Sequence, residues 1–231
     1  MEDRREWLLS LRRENERQEN ALQVDGDPYW SEIEPTHRSF VERFLSMTPP
    51  GSRILDAACG IGRYFPLVVE SGRTVLGVDH TGSYIARART AAPGVTVERH
   101  DLQDLAYVDA FDGVMCIDAM EFVPPEDWPV VLDRFRAALH LDGALYVTIE
   151  LVSDERLRAA NERARSAGHP VVDGEAISTE PEGYYHHYPS MDRVRSWIAD
   201  AGFSIEDELE GPWHETYAYH HVLARLRGGR P

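Results

Sequence analysis

Short apolar segments alternate with amphipathic segments from Arg53 to Leu151, and this rhythm constrains the fold more than any other feature of the sequence. The apolar segments have the length of strands, and glycine or polar residues separate each one from the helical pattern that follows. The segments "FDGVMCID" and "GALYVTIEL" are apolar almost throughout, as strands covered on both faces require. This pattern predicts an α/β fold with a mostly parallel sheet and helices on both of its faces.

The same periodicities set the bounds of the individual elements. Strands are predicted over Arg53–Ala57, Thr74–Val78, Val95–Arg99, 111–118, 143–151, Ser204–Leu209 and Tyr217–Leu226. Helices are predicted over 3–22, Thr36–Met47, Tyr64–Ser71, Ser83–Ala91, Trp128–Ala138, Asp154–Ala167 and 191–202. Glycine and proline recur between 168 and 190, so this stretch is expected to be an irregular connection.

The length of the chain sets the expected domain organisation. With 231 residues it can bury one sizeable core, so we expect one main domain with additions. Residues 1–50 are predicted to form an N-terminal helical cap. Residues 51–231 are predicted to form the main domain, with a lid insert at 153–190, because connections of that length usually carry a function.

Charge and cysteine content limit the expected partners. The chain has 24 basic and 40 acidic residues, a net charge of −16 that would repel nucleic-acid phosphates and anionic lipid. Its N-terminus is too charged for a secretory signal, and no apolar run is long enough to span a bilayer. Cys59 and Cys116 lack the spacing of a zinc site or a disulfide scaffold. We expect a cytoplasmic monomer or homodimer with no nucleic-acid, membrane or metal partner.

A loop of small residues follows the first predicted strand. Asp56 ends that strand, at the edge where ligands bind in open parallel sheets. Gly60 and Gly62 are predicted to bind a ligand, because a backbone without side chains can approach it closely. Asp79 ends the second strand, where a carboxylate can accept both hydroxyls of a ribose. The dinucleotide pattern Gly-x-Gly-x-x-Gly is not met, since Phe65 stands at its third glycine.

The segments "LDAACGIGRY", "VLGVDHTGSYIARAR", "HDLQDL" and "LDGALYVTIE", in this order, resemble the class I S-adenosylmethionine-dependent methyltransferases. The resemblance extends over residues 35–226. It implies a Rossmann-like sheet in the order 3-2-1-4-5-7-6 with strand 7 antiparallel. It also implies S-adenosyl-L-methionine as the cofactor, S-adenosyl-L-homocysteine as its product and a methyltransferase activity.

The resemblance also implies roles for the residues that end the strands. Asp56 would act near the ammonium group of the cofactor through backbone or water. The methionine part would lie along Asp56, Ala58 and Gly60, the ribose on Asp79, the adenine beside His80, Asp101 and Leu102, and the sulfonium beside Asp118. Arg63 departs from the expected small residues and is predicted to reach toward the acceptor.

Residues near the predicted mouth of the site are candidates for acceptor binding and proton transfer. Glu121, His186 and His187 are the candidate catalytic residues, because an oxygen or nitrogen acceptor must lose a proton. The candidate acceptor-binding residues are Tyr29, Trp30, Arg63, Glu150, Tyr184 and Tyr185. Each has a packing alternative, since aromatic loop residues anchor folds and loop acids often cap helices.

We therefore expect an S-adenosylmethionine-dependent methyltransferase that acts on oxygen or nitrogen of a small molecule. A role in biosynthetic tailoring is expected by analogy alone. One alternative is a catalytically inactive, methyltransferase-like binding subunit. The other is a nucleotide-dependent oxidoreductase of the same fold, which the residue at position 65 disfavours.

Overall fold

The computed structural model describes residues 4–22, 32–179 and 182–228. Its strands are β1 (Arg53–Ala57), β2 (Thr74–Asp79), β3 (Thr96–Arg99), β4 (Phe111–Cys116), β5 (Leu139–Val152), β6 (Glu175–Thr179), β7 (Glu182–His187), β8 (Phe203–Glu210) and β9 (Tyr217–Leu226). Its helices are α1 (Arg4–Ala21), α2 (Pro35–Ser46), α3 (Phe65–Glu70), α4 (Gly82–Ala91), α5 (Trp128–Ala138), α6 (Asp154–Ser166) and α7 (Met191–Asp200). Short 3₁₀ turns occupy Leu102–Asp104 and Met120–Phe122.

One seven-stranded sheet forms the centre of the fold, in the order β3-β2-β1-β4-β5-β9-β8. The neighbours from β3 to β5 are parallel, and β9 runs antiparallel to both β5 and β8. Counted within this sheet, β8 is the sixth strand and β9 the seventh. The predicted order 3-2-1-4-5-7-6 with an antiparallel seventh strand is therefore confirmed.

Helices cover the sheet on both faces, which explains why its central strands β1, β4 and β5 are largely apolar. Because strand side chains alternate, Leu55 packs in one layer with Trp128 and Phe135, whereas Ile54 packs in the other layer with Phe40. No helix within the described ranges combines the length and the apolar character needed to cross a membrane.

The insert differs from its prediction. Its second half is a hairpin of β6 and β7, in which Ala176 pairs with His186 and Ile177 with Tyr185. The expectation of an irregular connection over 168–190 was therefore wrong. The segments "EAIST" and "EGYYHH" contain the β-branched and aromatic residues typical of strands, but the glycines and prolines around them masked that signal. The first half of the insert is the predicted helix, α6.

α1 connects the insert to the main sheet. At its start, the Nη2 atom of Arg4 lies 2.7 Å from Oε1 of the fully buried Glu175 in β6. The Trp7 ring packs edge-on against Tyr185 of β7, with 6.2 Å between the centroids. At its end, Asn20 accepts a hydrogen bond from the amide of Ser83 at the start of α4. Both ends of this charged helix are thus held by the rest of the fold.

We predict that Arg4→Met destabilises the protein by about 1–3 kcal/mol, because the substitution leaves the Glu175 carboxylate buried without its cation. The estimate lies below the usual range for a buried pair because the Arg4 side chain is 22% exposed. Chemical denaturation gives the loss, and hydrogen exchange should show α1 and β6 opening more readily. Arg13→Met, at an exposed position of the same helix, is the control and should change neither. Equal effects of both variants would contradict the assigned role of Arg4.

Candidate functional site

A cavity of about 810 Å³ lies at the carboxyl edge of the parallel strands, under α1 and the β6–β7 hairpin. Its volume is in the range of small-molecule and cofactor sites. One end is lined by the loop after β1, the end of β2 and residues 100–103. The other end is lined by the turn after β4, the end of β5, α6 and the hairpin. The site thus joins the edge predicted for a ligand to the insert predicted as a lid.

The loop after β1 forms the floor of the first end. Ala58 and Gly60 line the cavity, and both have positive φ, +67° and +52°. A Cβ atom added to Gly60 would meet no protein atom within 4 Å, so it would project into open space. The glycine therefore leaves room at the cavity, as a ligand against the backbone requires.

Gly62 has a different role from the one predicted. It does not line the cavity. Its φ is +82°, and an added Cβ atom would lie 2.6 Å from the Phe65 ring, which is buried. The glycine is therefore required by packing at the start of α3 rather than by a ligand.

Asp79 connects the loop after β1 to the end of β2. Its Oδ2 accepts a hydrogen bond from the Gly60 amide and its Oδ1 from the Thr81 amide, both at 2.8 Å. Each carboxylate oxygen keeps a second lone pair, and the residue borders the cavity. The arrangement leaves Asp79 able to accept hydroxyl donors such as those of a ribose.

Asp56 lies beneath this loop rather than at the cavity surface. It is 1% exposed, and burial, followed by the charge of Asp79, raises its pKa to about 8. Its Oδ2 has no hydrogen-bond partner among the described residues. A buried acceptor without a partner calls for a donor, and this fits the indirect contact with a cofactor ammonium that the resemblance implies.

α1 contributes residues to the site that the sequence analysis did not identify. Glu19 accepts a hydrogen bond from the Thr81 hydroxyl at 2.6 Å and lies 3.3 Å from Nε2 of His80. Burial lowers the pKa of His80, but the Glu19 carboxylate outweighs it, so that the pKa is raised. Asn15 lines the cavity, is 7% exposed and has an Oδ1 without a partner among the described residues. The apolar residues that predicted this helix lie near its start, so they gave no indication of a role for Asn15 or Glu19.

Asp101 and Leu102, the residues expected beside adenine, also border the first end of the cavity. Oδ2 of Asp101 pairs with Nη1 of Arg12 at 3.2 Å, and its Oδ1 accepts from the Gln103 amide. The Arg12 guanidinium also lies 3.2 Å from Asp127. The Asp101 carboxylate, which is expected beside adenine, is therefore also paired with Arg12 of α1.

Asp118 lies where the two ends of the cavity meet. Its Oδ1 is 3.1 Å from Nε2 of His37, and its Oδ2 accepts from Nη2 of Arg63 at 2.9 Å. Burial would raise the pKa of Asp118, but His37 and Arg63 hold it below its usual value. Arg63 borders the cavity, but this guanidinium contact is with Asp118. The backbone of Asp118 has a φ of +53°, which this pair of contacts helps to fix.

His37 links Glu34 to Asp118, which borders the cavity. Its Nδ1 lies 3.2 Å from Oε2 of Glu34, and its Nε2 faces Asp118. Burial lowers the pKa of His37, but the Asp118 and Glu34 carboxylates outweigh burial and raise it. Asp118 is 81 residues away in the chain, so no local pattern indicated the pairing.

Two acids, Glu121 and Glu150, stand at the second end of the cavity. Glu121, in the turn after β4, is 4% exposed, and its Oε2 has no partner among the described residues. Burial, followed by the charge of Glu150, raises its pKa well above the usual value. Burial and then Asp118 raise the pKa of Glu150 to about 7, against the opposing effect of Arg156.

The face of β7 decides which of its predicted residues reach the cavity. Tyr184 and His186 line it, and burial lowers the pKa of His186 to about 4. His187 points to the other face, is 3% exposed and packs edge-on against Trp128. The prediction of a catalytic His187 is therefore withdrawn. Tyr185 touches the cavity wall, but its hydroxyl donates to Glu175 in the neighbouring strand β6 and its ring packs against Trp7 of α1.

Two further residues of the second end, Tyr188 and Tyr219, were not predicted. Tyr188 continues the alternation of β7, and Tyr219 faces Glu150 across the β5–β9 pairing. The predicted acceptor residues Tyr29 and Trp30 lie outside the described residues. In the part of the chain that the structure describes, no group of three or more His, Cys, Asp or Glu side chains has the arrangement of a metal site.

Comparison with known proteins gives matches over most of the chain. A family model described as "Methyltransferase domain" matches residues 54–143. A ubiquinone biosynthesis O-methyltransferase of Xanthomonas axonopodis pv. citri is 26% identical over 193 residues, which are 78% of this chain and 75% of that protein. A dTDP-3-amino-3,6-dideoxy-alpha-D-glucopyranose N,N-dimethyltransferase of Streptomyces fradiae is 23% identical over 191 residues, 71% of this chain and 75% of that protein.

A solved structure is similar over nearly the whole chain. The magnesium protoporphyrin IX methyltransferase of Synechocystis PCC 6803, crystallised with bound SAH, superposes with a TM-score of 0.63 at 17% identity. The superposition covers 93% of each chain. At this identity the likeness concerns the fold alone.

We predict different effects of alanine at the two glycines of the loop. Gly62→Ala should lower stability by about 2 kcal/mol or more, because it adds overpacking against Phe65 to the strain of a positive φ. Gly60→Ala should cost about 1 kcal/mol of stability but weaken binding of S-adenosylmethionine, since its methyl group projects into the cavity. Denaturant titration and calorimetry measure the two quantities. Unchanged affinity in Gly60→Ala would contradict the assigned floor of the site.

We also predict that His37 makes stability fall as pH rises. Its folded pKa is raised, so its contribution is fully present below about pH 6.5 and is lost as pH increases through the folded pKa. The difference in unfolding free energy between wild type and His37→Gln should therefore shrink from pH 6 to pH 9. His140→Gln, at an exposed histidine, serves as the control. A difference that stays constant with pH would show that His37 is not charged in the folded protein.

Proposed function

We propose that this chain is a class I S-adenosylmethionine-dependent methyltransferase and methylates oxygen or nitrogen of a small molecule held in the cavity, since its residues 54–143 match the model of a methyltransferase domain. The observation that supports this proposal most is the continuity of the cavity. The glycine loop and Asp79 border one end, and the carboxyl groups of Glu121 and Glu150 border the other. A cofactor and an acceptor can therefore lie side by side under the same cover.

The residues of the first end fit the cofactor. Gly60 leaves the space that a Cβ atom would fill, and Asp56 has an unpartnered buried oxygen. In the proposed arrangement the methionine part lies along Ala58 and Gly60, the ribose hydroxyls bind Asp79, and the adenine lies between His80 and Leu102, with Asp101 near its amino group. Asp118 would border the sulfonium.

The cofactor supplies an electrophilic methyl group when bound. The chain then has to align the acceptor with that group, exclude water and manage one proton. In this proposal the second end of the cavity aligns the acceptor. α1 and the β6–β7 hairpin cover the site and exclude water. We propose that residues 1–50 and 153–190 act as this cap and lid. Glu121 and His186 border the acceptor space and are the proposed proton acceptors.

The relatives support both kinds of acceptor atom. One is named as an O-methyltransferase of ubiquinone biosynthesis and the other as an N,N-dimethyltransferase of an amino sugar. Both names specify small molecules. The cover formed by α1 and the hairpin likewise favours a small acceptor over a macromolecular one. Oligomeric state stays a prediction, monomer or homodimer.

The test is calorimetric titration with S-adenosylmethionine and S-adenosylhomocysteine, with NAD as the control ligand. We expect both sulfur ligands to bind, NAD not to bind, and Asp79→Asn to weaken the sulfur ligands about 100-fold through loss of charged hydrogen bonds to the ribose. Thermal unfolding of the variant checks that the loop is intact, because Asp79 also holds Gly60.

Each alternative predicts a different result. Binding of NAD in place of the sulfur ligands would favour an oxidoreductase. Binding of the sulfur ligands without S-adenosylhomocysteine formation from any acceptor in a mass-spectrometric screen would favour an inactive binding subunit. A well-folded protein that binds none of these ligands would overturn the proposal.

A further inference from the structure

Glu121, at the second end of the cavity, differs from the buried acid of the hairpin in its hydrogen bonds. Glu175 is 0% exposed, but it is satisfied by two nitrogens of Arg4, the amide of Val172 and the hydroxyl of Tyr185. Glu121 is also buried, yet its Oε2 has no hydrogen-bond partner among the described residues. Burying a carboxyl group without a partner is costly, so such groups mark sites of function.

Neither Glu121 nor Glu150 has a cation paired with it. Within the described ranges, no Arg or His nitrogen lies within 4.0 Å of a carboxyl oxygen of Glu121 or Glu150. Both side chains border the cavity. A ligand in the cavity is therefore placed to supply a partner for this acid pair.

The charged groups around the pair favour a cation. Asp118 adds a further negative charge from the turn after β4, while Arg156 of α6 acts on Glu150 from the other side. His186 is neutral at pH 7, because burial lowers its pKa to about 4. Tyr188 also lies near both acids. Burial, followed by the charges of Glu150 and Glu121, raises the pKa of Tyr188. A cation beside the pair would favour the ionised forms of both acids, whereas an anion would oppose their ionisation.

Aromatic rings form the wall next to the acids. Phe122 lies 5.1 Å from His186 and 6.4 Å from Tyr184, centroid to centroid. His186 stacks on Tyr188 at 5.7 Å. The faces of such rings attract alkylammonium groups, and the rings provide apolar contact for the carbon skeleton that carries the charge.

We infer that the acceptor is an amine, and that Glu121 and Glu150 bind its ammonium form and take the proton it must lose. The inference rests on the proposed function and narrows it from oxygen or nitrogen to nitrogen. The acids hold the ammonium between them at the second end of the cavity, and the rings of β7 and Phe122 hold its substituent.

The proton and electron pairs balance without another reactant. The ammonium gives one proton to a carboxylate of the pair, which leaves the nitrogen lone pair free. That lone pair forms the bond to the methyl carbon while the carbon–sulfur bond breaks, and the electrons of the broken bond stay on sulfur. The product is a methylated ammonium ion and a neutral thioether, and the carboxyl group returns its proton to solvent.

The experiment uses matched probes, benzylamine and benzyl alcohol, titrated calorimetrically into the protein saturated with S-adenosylhomocysteine. We expect benzylamine to bind, and the double variant Glu121→Gln/Glu150→Gln to lose at least tenfold in its affinity. Benzyl alcohol should bind more weakly and change less than threefold in the variant. Glu155→Gln removes the same charge at an exposed position of α6 and should leave both affinities unchanged.

A second readout separates binding at the pair from a general structural effect. A cation beside the acids stabilises their ionised forms, so benzylamine should release protons at pH 7. Titrations in buffers of different ionisation enthalpy measure this release. It should disappear in Glu121→Gln/Glu150→Gln, since the pKa of Glu150 is about 7 and that of Glu121 is raised well above its usual value in the protein without ligand. Glu155→Gln should release as many protons as wild type.

The outcomes distinguish the inference from the proposed function. If S-adenosylhomocysteine binds but benzylamine does not, the amine inference is overturned and the methyltransferase proposal stands. The same conclusion follows if benzylamine binds no better than benzyl alcohol and binds equally well to the double variant. If S-adenosylhomocysteine itself fails to bind to folded protein, both are overturned. Benzylamine binding with proton release, lost with the acids, supports the inference.

Discussion

The carboxylate of Asp79 is the contact on which the rest of the site depends. β1 and β2 are parallel neighbours, and each ends at the same edge of the sheet. Asp79 fixes the loop after β1 through the Gly60 amide and begins the turn into α4 through the Thr81 amide. The Thr81 hydroxyl in turn donates to Glu19 of α1, so α1 is bound to the same turn that Asp79 holds. The floor and the cover of the cavity are therefore set together.

Two kinds of buried acid serve two purposes in this fold. Glu175 is surrounded by donors and joins α1 to the hairpin, which stabilises the cover. Asp56 and Glu121 each keep a buried oxygen without a partner among the described residues, and both lie at the cavity or beneath it. Stability alone would favour donors at these positions or their replacement by apolar side chains. Their retention is understandable if ligands supply the missing partners.

The sequence predicted the fold better than the site. Periodicity located the strands of the central sheet within two residues at most ends, although β5 begins at Leu139, well before the predicted 143. The choice between His186 and His187 needed the register of a strand that the sequence had not revealed. Gly62 matched a binding pattern but is required by the Phe65 ring. The roles of Glu19 and His37 depend on contacts across 62 and 81 residues, which no local pattern can indicate.

The acidity of the cavity connects the cofactor to the proposed acceptor. S-adenosylmethionine carries positive charge on its sulfonium and ammonium groups, and Asp118, whose pKa is held below its usual value, provides a negative group near the expected position of the sulfonium. Methylation of a phenolate would bring an anion next to Glu121 and Glu150 and so oppose the ionisation of both acids. An amine instead enters as a cation, passes one proton to the pair and regains positive charge when the methyl group arrives. The positive charge leaves sulfur and appears on nitrogen, so the acids stabilise both the reactants and the products, and the acceptor is not an anion at any stage.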